Sequence, residues 1–203
     1  MNLKKKLVLP AALCLVMLIN SVLYGADKVV VVPLGSSVKT ATQTLYYNLP
    51  VSAFTPVLYS DTSPRGNFVS GDWFSLLSPQ LLAGMAAPVQ LPDNSVIKDF
   101  TCYVYDNDGT ESISGNSPAY LWRRSVNDVN KERITDQFNM PTAGSADAVQ
   151  AFSTQSILFP QIDTSDYFYG AYVLFKITGN PASYTNLRFY GCRIAYDLDV
   201  VVP

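Results

Sequence analysis

The sequence predicts an all-β protein: one antiparallel β-sandwich, jelly-roll-like, preceded by an N-terminal signal peptide that is cleaved. Three observations predict it. Glutamate occurs only at 111 and 132, whereas Tyr, Val, Thr, Ser and Asn abound. β-branched and aromatic residues suit a pleated sheet, and straight-chain helix formers are scarce. Apolar runs with period-two alternation recur at short intervals, punctuated by Pro, Gly, Asn and Asp, with no alternating helical pattern between them. The first 26 residues, finally, have the layout of an export signal.

That signal begins with the cationic cluster Lys4, Lys5 and Lys6 and continues in an apolar run from Leu7 to Leu23, broken only by Pro10, Asn20 and Ser21. Small residues, Gly25 and Ala26, precede the polar Asp27. Export machinery and its peptidase read this order of charge, apolar run and small residues. A retained membrane anchor is the alternative. No later segment approaches the ~18 apolar residues of a spanning helix, so no transmembrane segment is expected after processing. The expected destination is the periplasm, the cell surface or the medium.

The organisation that follows is a signal peptide over 1–26, an N-terminal strand and linker over 27–44, and a sandwich domain over 45–203. The Val29–Val32 tract reads as a strand, and the Ser/Thr-rich stretch 36–44 as a linker or exposed loop. Strands are expected at Leu45–Val51 and Phe54–Tyr59, then a turn at Ser63-Pro64-Arg65-Gly66. Trp73–Leu82 suits a short helix or turn, and Met85–Leu91 another strand before the turn Pro92-Asp93-Asn94. The strongest strand signals lie in Val96–Tyr105, Ala119–Ser125, Tyr167–Thr178 and Leu187–Leu198. In Tyr167–Thr178 the odd positions are Tyr167, Tyr169, Ala171, Val173, Phe175 and Ile177, a clean period of two. Leu187–Leu198 starts with Leu187 and Phe189 inward and changes phase at Gly191 to Cys192, Ile194 and Tyr196, which predicts a β-bulge. The stretches 127–139 and 142–147 read as long loops.

Composition excludes several functions. The chain carries no histidine, which removes Ser-His-Asp and Cys-His nucleophile systems, HExxH hydrolases and most catalytic zinc sites. No glycine-rich phosphate loop follows a strand. The net charge is −2, and removal of the leader's lysines makes the remainder more acidic, so nucleic acid is not an expected partner. Glycoside hydrolysis, which needs only two carboxylates, is the enzymatic reading that survives, although most Asp residues stand beside turn formers where Asp serves the backbone.

Two cysteines lie beyond the leader, Cys102 and Cys192, each at an inward phase of a strand. They suit a disulfide in an oxidising compartment, and two separate buried thiols account for them equally. Asp106-Asn107-Asp108-Gly109-Thr110-Glu111 resembles the first half of a calcium loop, with Asp106 and Asp108 as oxygen donors. The acid at the twelfth position is absent (Ser117), and a hairpin turn explains the same residues. No other cofactor is expected. Among the many aromatics, Trp122 and Arg124 share one face of their strand with Arg123 on the other. Trp122, Arg124, Tyr103 and Tyr105 are the candidate ligand-binding residues, through stacking and hydrogen bonds to sugar. Ordinary packing of sheet faces accounts for the same side chains.

Four motifs in order are Pro88-Val89-Gln90-Leu91-Pro92, Phe100-Thr101-Cys102-Tyr103-Val104-Tyr105-Asp106-Asn107, Leu121-Trp122-Arg123-Arg124, and Leu187 to Tyr196. Together they resemble an uncharacterised class of secreted bacterial β-sandwich proteins and surface modules. That resemblance implies a compact β-sandwich over roughly 45–198 and transfers no catalytic residue.

The sequence thus leaves three functions: a non-enzymatic structural or adhesive surface module, self-associating through its terminal valine tracts (Val29–Val32 and Val200–Val202); a carbohydrate-binding module; and a carboxylate-dependent enzyme acting on glycans.

Overall fold

The computed structural model describes residues 39–58, 67–69, 72–76, 82–109, 111–142, 147–178 and 184–202. The signal peptide, the Val29–Val32 tract and the turn expected at 63–66 lie outside them. The elements are β1 (Lys39–Pro50), β2 (Thr55–Leu58), β3 (Asn67–Val69), β4 (Trp73–Ser75), β5 (Leu82–Val89), β6 (Val96–Asp106), β7 (Pro118–Ser125), β8 (Glu132–Arg133), β9 (Phe138–Asn139), β10 (Ala148–Thr154), β11 (Tyr167–Lys176) and β12 (Leu187–Val202). Single 3₁₀ turns occupy Val51–Ala53 and Tyr184–Asn186. Among the described residues no helix is long and apolar enough to cross a membrane.

Among the described residues all strand pairing is antiparallel, in two sheets. Sheet A runs β10-β6-β12-β4-β3, with β1 sharing with β4 the edge of β12 that faces away from β6. Sheet B runs β2-β5-β11-β7, with β8 and β9 along the far edge of β7. Setting aside the short outer strands β2 and β3, and treating β1 with β4 as one position and β8 with β9 as another, reduces the domain to eight successive strands. Their order is then first-eighth-third-sixth in one sheet and second-seventh-fourth-fifth in the other. This is the jelly roll, a long hairpin folded over into two sheets, and it bears out the sandwich expected from the sequence.

The inner faces meet through large side chains. Phe74 and Phe189 of sheet A stand against Phe175 of sheet B, with ring centroids 6.1 and 6.3 Å apart, and Phe100 meets Phe138 at 5.7 Å. Such ring contacts add to the burial that drives the sheets together. The odd positions of β11 from Tyr169 to Phe175 are buried, as is Ile177 just beyond it, as the period of two requires.

β12 changes phase where expected. Its register against β6 shifts between Phe189 and Gly191, so Phe189, Gly191 and Cys192 are all buried. Gly191 has φ of +122°, a region that L side chains rarely adopt. Cys102 and Cys192, directly opposite in the β6–β12 ladder, are joined by a disulfide with Cα atoms 4.0 Å apart.

Four local expectations are corrected. Residues 39–44, read as linker, form half of β1, paired residue by residue with β12 from Lys39↔Val202 onward. Thr42 and Thr44 donate to Asp199 and Asp197 at 2.6 Å, so β-branched polar residues serve a strand whose outer face meets solvent. The same pairing places the Val200–Val202 tract inside the domain's own sheet. Residues 73–75, read as helix or turn, are β4, whose Phe74 pairs in register with Phe68 of β3 on one side and Phe189 of β12 on the other. The loop at 127–139 contains the short strands β8 and β9. β10, not foreseen, pairs its full length with β6.

Candidate functional site

The ligand-binding candidates divide between the two outer faces of the sandwich. Tyr103 and Tyr105 lie on the outside of sheet A, Trp122 and Arg124 on the outside of sheet B. The structure brings each pair together and separates the pairs by the whole core.

On sheet A the aromatics hold arginines. Arg188 sits over Trp73 at 4.6 Å and Tyr105 at 4.9 Å, and Arg193 over Tyr46 at 4.8 Å and Tyr103 at 5.8 Å. Tyr105 also donates to Asp147 at 2.8 Å, a bond that raises its pKa above the ordinary value for a phenol. Each ring here already has a cation on it.

Sheet B presents a different surface. Register places Ala86 of β5, Tyr172 of β11 and Tyr120 of β7 in one row across its outer face, then Pro88, Gly170, Trp122 and Arg133 in the next, and Phe168 with Arg124 in a third. Small residues at 86, 88 and 170 leave the β5–β11 side low, while β7 and the flank of β11 stand high. The Trp122 indole leans across its own row onto Gly170: a Cβ added there would lie 2.2 Å from its ring. Tyr120 and Tyr172 stack at 5.1 Å, 30° from parallel. Burial pushes both phenols above their ordinary pKa, with Arg133 opposing it at Tyr120, so both remain neutral hydroxyls at physiological pH.

Trp122 stands between two depressions. One, of about 490 Å³, is lined by Thr55, Ala86, Pro88, Trp122, Arg124 and Phe168 among others. The other, of about 310 Å³, is lined by Val57, Tyr120, Trp122, Lys131, Arg133 and Tyr172, with Ala86 common to both. Lys131 lies 4.3 Å from the centroid of Trp122, Arg124 5.6 Å from Phe168 and Arg133 5.9 Å from Tyr120. Arg123 points the other way, pairing with Glu132 at 2.6 Å and lying on Phe159 and Tyr167. The alternation read from Trp122-Arg123-Arg124 therefore holds. Tyr120, Phe168, Lys131 and Arg133 escaped sequence reasoning. Tyr120 and Phe168 sit at the outward phase of readable strands, but 131 and 133 lie in a stretch with no strand signal.

Asp106 and Asp108 are both buried. Asp106 accepts the Asp108 N–H at 3.0 Å and the Thr142 hydroxyl, and Asp108 accepts the Glu111 N–H at 3.1 Å. These bonds close the loop after β6. Among the described residues no group of three or more His, Cys, Asp or Glu is placed to hold a metal ion.

The loop before β11 is held by Asp163, whose Oδ1 accepts the Ser165 hydroxyl at 2.7 Å and the N–H groups of Ser165 and Asp166 at 3.1 and 3.2 Å. The Ser165 bond is the largest influence holding the Asp163 carboxyl below its usual pKa. A depressed folded-state pKa contributes stability above the unfolded carboxylate value, about 4, and loses it as pH falls through that range. Asp163→Asn should therefore unfold at lower temperature than the wild type near pH 7, with the gap closing towards pH 3. A gap independent of pH would refute this role.

No protein-family model matches the chain. No curated protein matches it either. Solved structures that superpose on it include a xylan-binding module, CBM15 (TM-score 0.41, 8% identity, covering 77% of this chain and 97% of that one). Desmodium yellow mottle tymovirus superposes with TM-score 0.30 and 9% identity over 100% of this chain and 98% of that one. Infectious bursal disease virus, Gx strain, gives TM-score 0.30 and 10% identity over 83% and 54%. Likenesses at this level carry no weight for fold or function, and the architecture above rests on strand pairing.

Proposed function

We propose that this chain is a non-enzymatic carbohydrate-binding module whose site is the outer face of sheet B. The observation that carries this is the seating of Trp122 on Gly170, beside the stacked Tyr120 and Tyr172, above a floor of small residues. Sugar rings present apolar C–H faces and a girdle of hydroxyls. They are bound by aromatic planes with polar groups at the edges, the mixture that lines these two depressions. Cations lie over the rings of both faces; sheet A is the weaker candidate because the two depressions flanking Trp122 open on sheet B. The disulfide supports an oxidising compartment, in keeping with export to the periplasm, surface or medium. With Val200–Val202 paired internally, the described residues give less support to self-association through terminal strands than to a ligand-binding face.

Two variants test the site in different ways. Trp122→Ala removes the ring, and Gly170→Ala leaves it but forces it off its seat, because the new Cβ and the indole cannot share the space. Both positions face outward, so folding should survive, as circular dichroism will check. Affinity gels and calorimetry with insoluble and soluble polysaccharides should show at least one ligand for the wild type and a loss of about tenfold or more in each variant, the effect of one hot-spot aromatic. Wild-type affinity in Trp122→Ala would remove the site from this face.

A further inference from the structure

We infer that the polysaccharide bound by sheet B is anionic, its sugars bearing carboxylate or sulfate groups; this rests on the glycan-binding reading and names its ligand class. The chain as a whole has more acidic than basic residues, yet the two sheets divide the charge unequally. The strands of sheet A carry Asp99, Asp106, Asp197 and Asp199, whereas those of sheet B carry one carboxylate, Glu132. Glu132 is already neutralised by Arg123 at 2.6 Å.

Around the aromatic platform stand Arg124, Lys131 and Arg133. Among the described residues the ion pairs are Lys98–Asp197 and Arg123–Glu132, and neither involves these three. Each of the three lies instead against an aromatic ring: Phe168, Trp122 and Tyr120 respectively. A π face attracts a cation and fixes its place without cancelling its charge. The result is a stacking surface edged by three positioned cations outside any ion pair, with Glu132, which also lines the smaller depression, held by Arg123. A neutral sugar would use them only as hydrogen-bond donors to its hydroxyls. A uronate or sulfated sugar stacked on Trp122 or Tyr120 would put its anionic group beside a guanidinium whose planar fork matches carboxylate and sulfate oxygens.

Nucleic acid would also use cations and rings, but its dense phosphate array would meet the net negative charge of the whole domain. A uronate or sulfated sugar carries its charge on the same ring that stacks, so a single residue can engage the local patch.

The test measures binding of the full mature protein to polygalacturonate, alginate and dextran sulfate. Carboxyl-reduced polygalacturonate, unsulfated dextran and xylan serve as neutral counterparts, and a single-stranded thymidine oligonucleotide as the competing class. At least one anionic polymer should bind tenfold or more tighter than its neutral counterpart, with carboxylated and sulfated polymers telling the two anions apart. The preference should weaken between 50 and 200 mM salt and vanish in the triple variant Arg124→Gln, Lys131→Gln, Arg133→Gln. All three side chains are solvent-accessible, so the variant should fold, and its melting temperature verifies this. Equal binding of neutral and anionic polymers, lost in Trp122→Ala, overturns the charge assignment and leaves the module reading intact. Failure of every polysaccharide to bind overturns both. Binding of the oligonucleotide as tightly as the best polysaccharide overturns the assignment to glycans.

Discussion

Replacing Cys102 and Cys192 together by alanine should lower the free energy of unfolding by about 4–5 kcal/mol, the value the chain-entropy model gives for a loop this long. The two residues are 90 apart in sequence, so the bond closes a loop across about half the domain in the unfolded chain. In the folded state it restrains little, because Cys102 and Cys192 already face each other in the β6–β12 ladder. Its effect therefore falls almost entirely on the denatured ensemble, which expands when the bond is gone. Urea titration of the oxidised wild type and the double variant should show a lower midpoint and a steeper dependence on denaturant, since a longer free chain exposes more surface. Cys102 is fully buried and Cys192 nearly so, so mild reductant should leave the native bond intact until the domain opens. A loss below about 1 kcal/mol would mean that the unfolded chain is already held compact by other contacts.

Gly191→Ala should destabilise the domain by about 3 kcal/mol or more, adding a strained left-handed φ to a steric conflict. A Cβ at 191 would sit 2.3 Å from the carbonyl oxygen of Leu49 and 3.0 Å from the nitrogen of Val51. Both are backbone atoms at the end of β1, where Pro50 pairs with Gly191, so neither can swing aside as a side chain would. Relief requires parting β1 from β12 beside the disulfide. For a domain of this size the change corresponds to a fall of roughly 6–12 °C in melting temperature. A shift under 2 °C would show that the β1–β12 junction relaxes easily. Gly170→Ala is the useful contrast: the atom it meets is the movable indole of Trp122, so its effect should appear in binding and hardly in stability.

Part of this was legible in the primary structure because it depends on local chemistry. The period of two in β11 names its buried face, since successive side chains on a strand must point opposite ways. The change of phase at Gly191 names the bulge, since only glycine takes that conformation without strain. The same alternation put Trp122 and Arg124 together and showed Cys102 and Cys192 facing inward. The Thr-rich 39–44 segment gave no comparable signal, because β1 contributes polar residues to solvent and takes its order from hydrogen bonds to β12. β10 was hidden for the same reason: its side chains are exposed or only partly buried, and strand formation there follows from the open edge of β6.

What the amino-acid sequence determined by itself was therefore the all-β class, the phase of the central strands, the inward cysteines and the absence of histidine chemistry. What only the tertiary structure decided was which strands are neighbours, and with that the composition of each face. Gly170, Ala86 and Pro88 are unremarkable residues until register lays them beside Trp122 and Tyr172. Lys131 and Arg133 belong to the platform only because β8 folds back along β7. Tyr103 and Tyr105 fall on the far side of the core because β6 belongs to the other sheet. Alternation along a strand is a property of neighbouring peptide units, whereas adjacency between strands is chosen by burial summed over the whole chain, and no local stretch of sequence contains that sum.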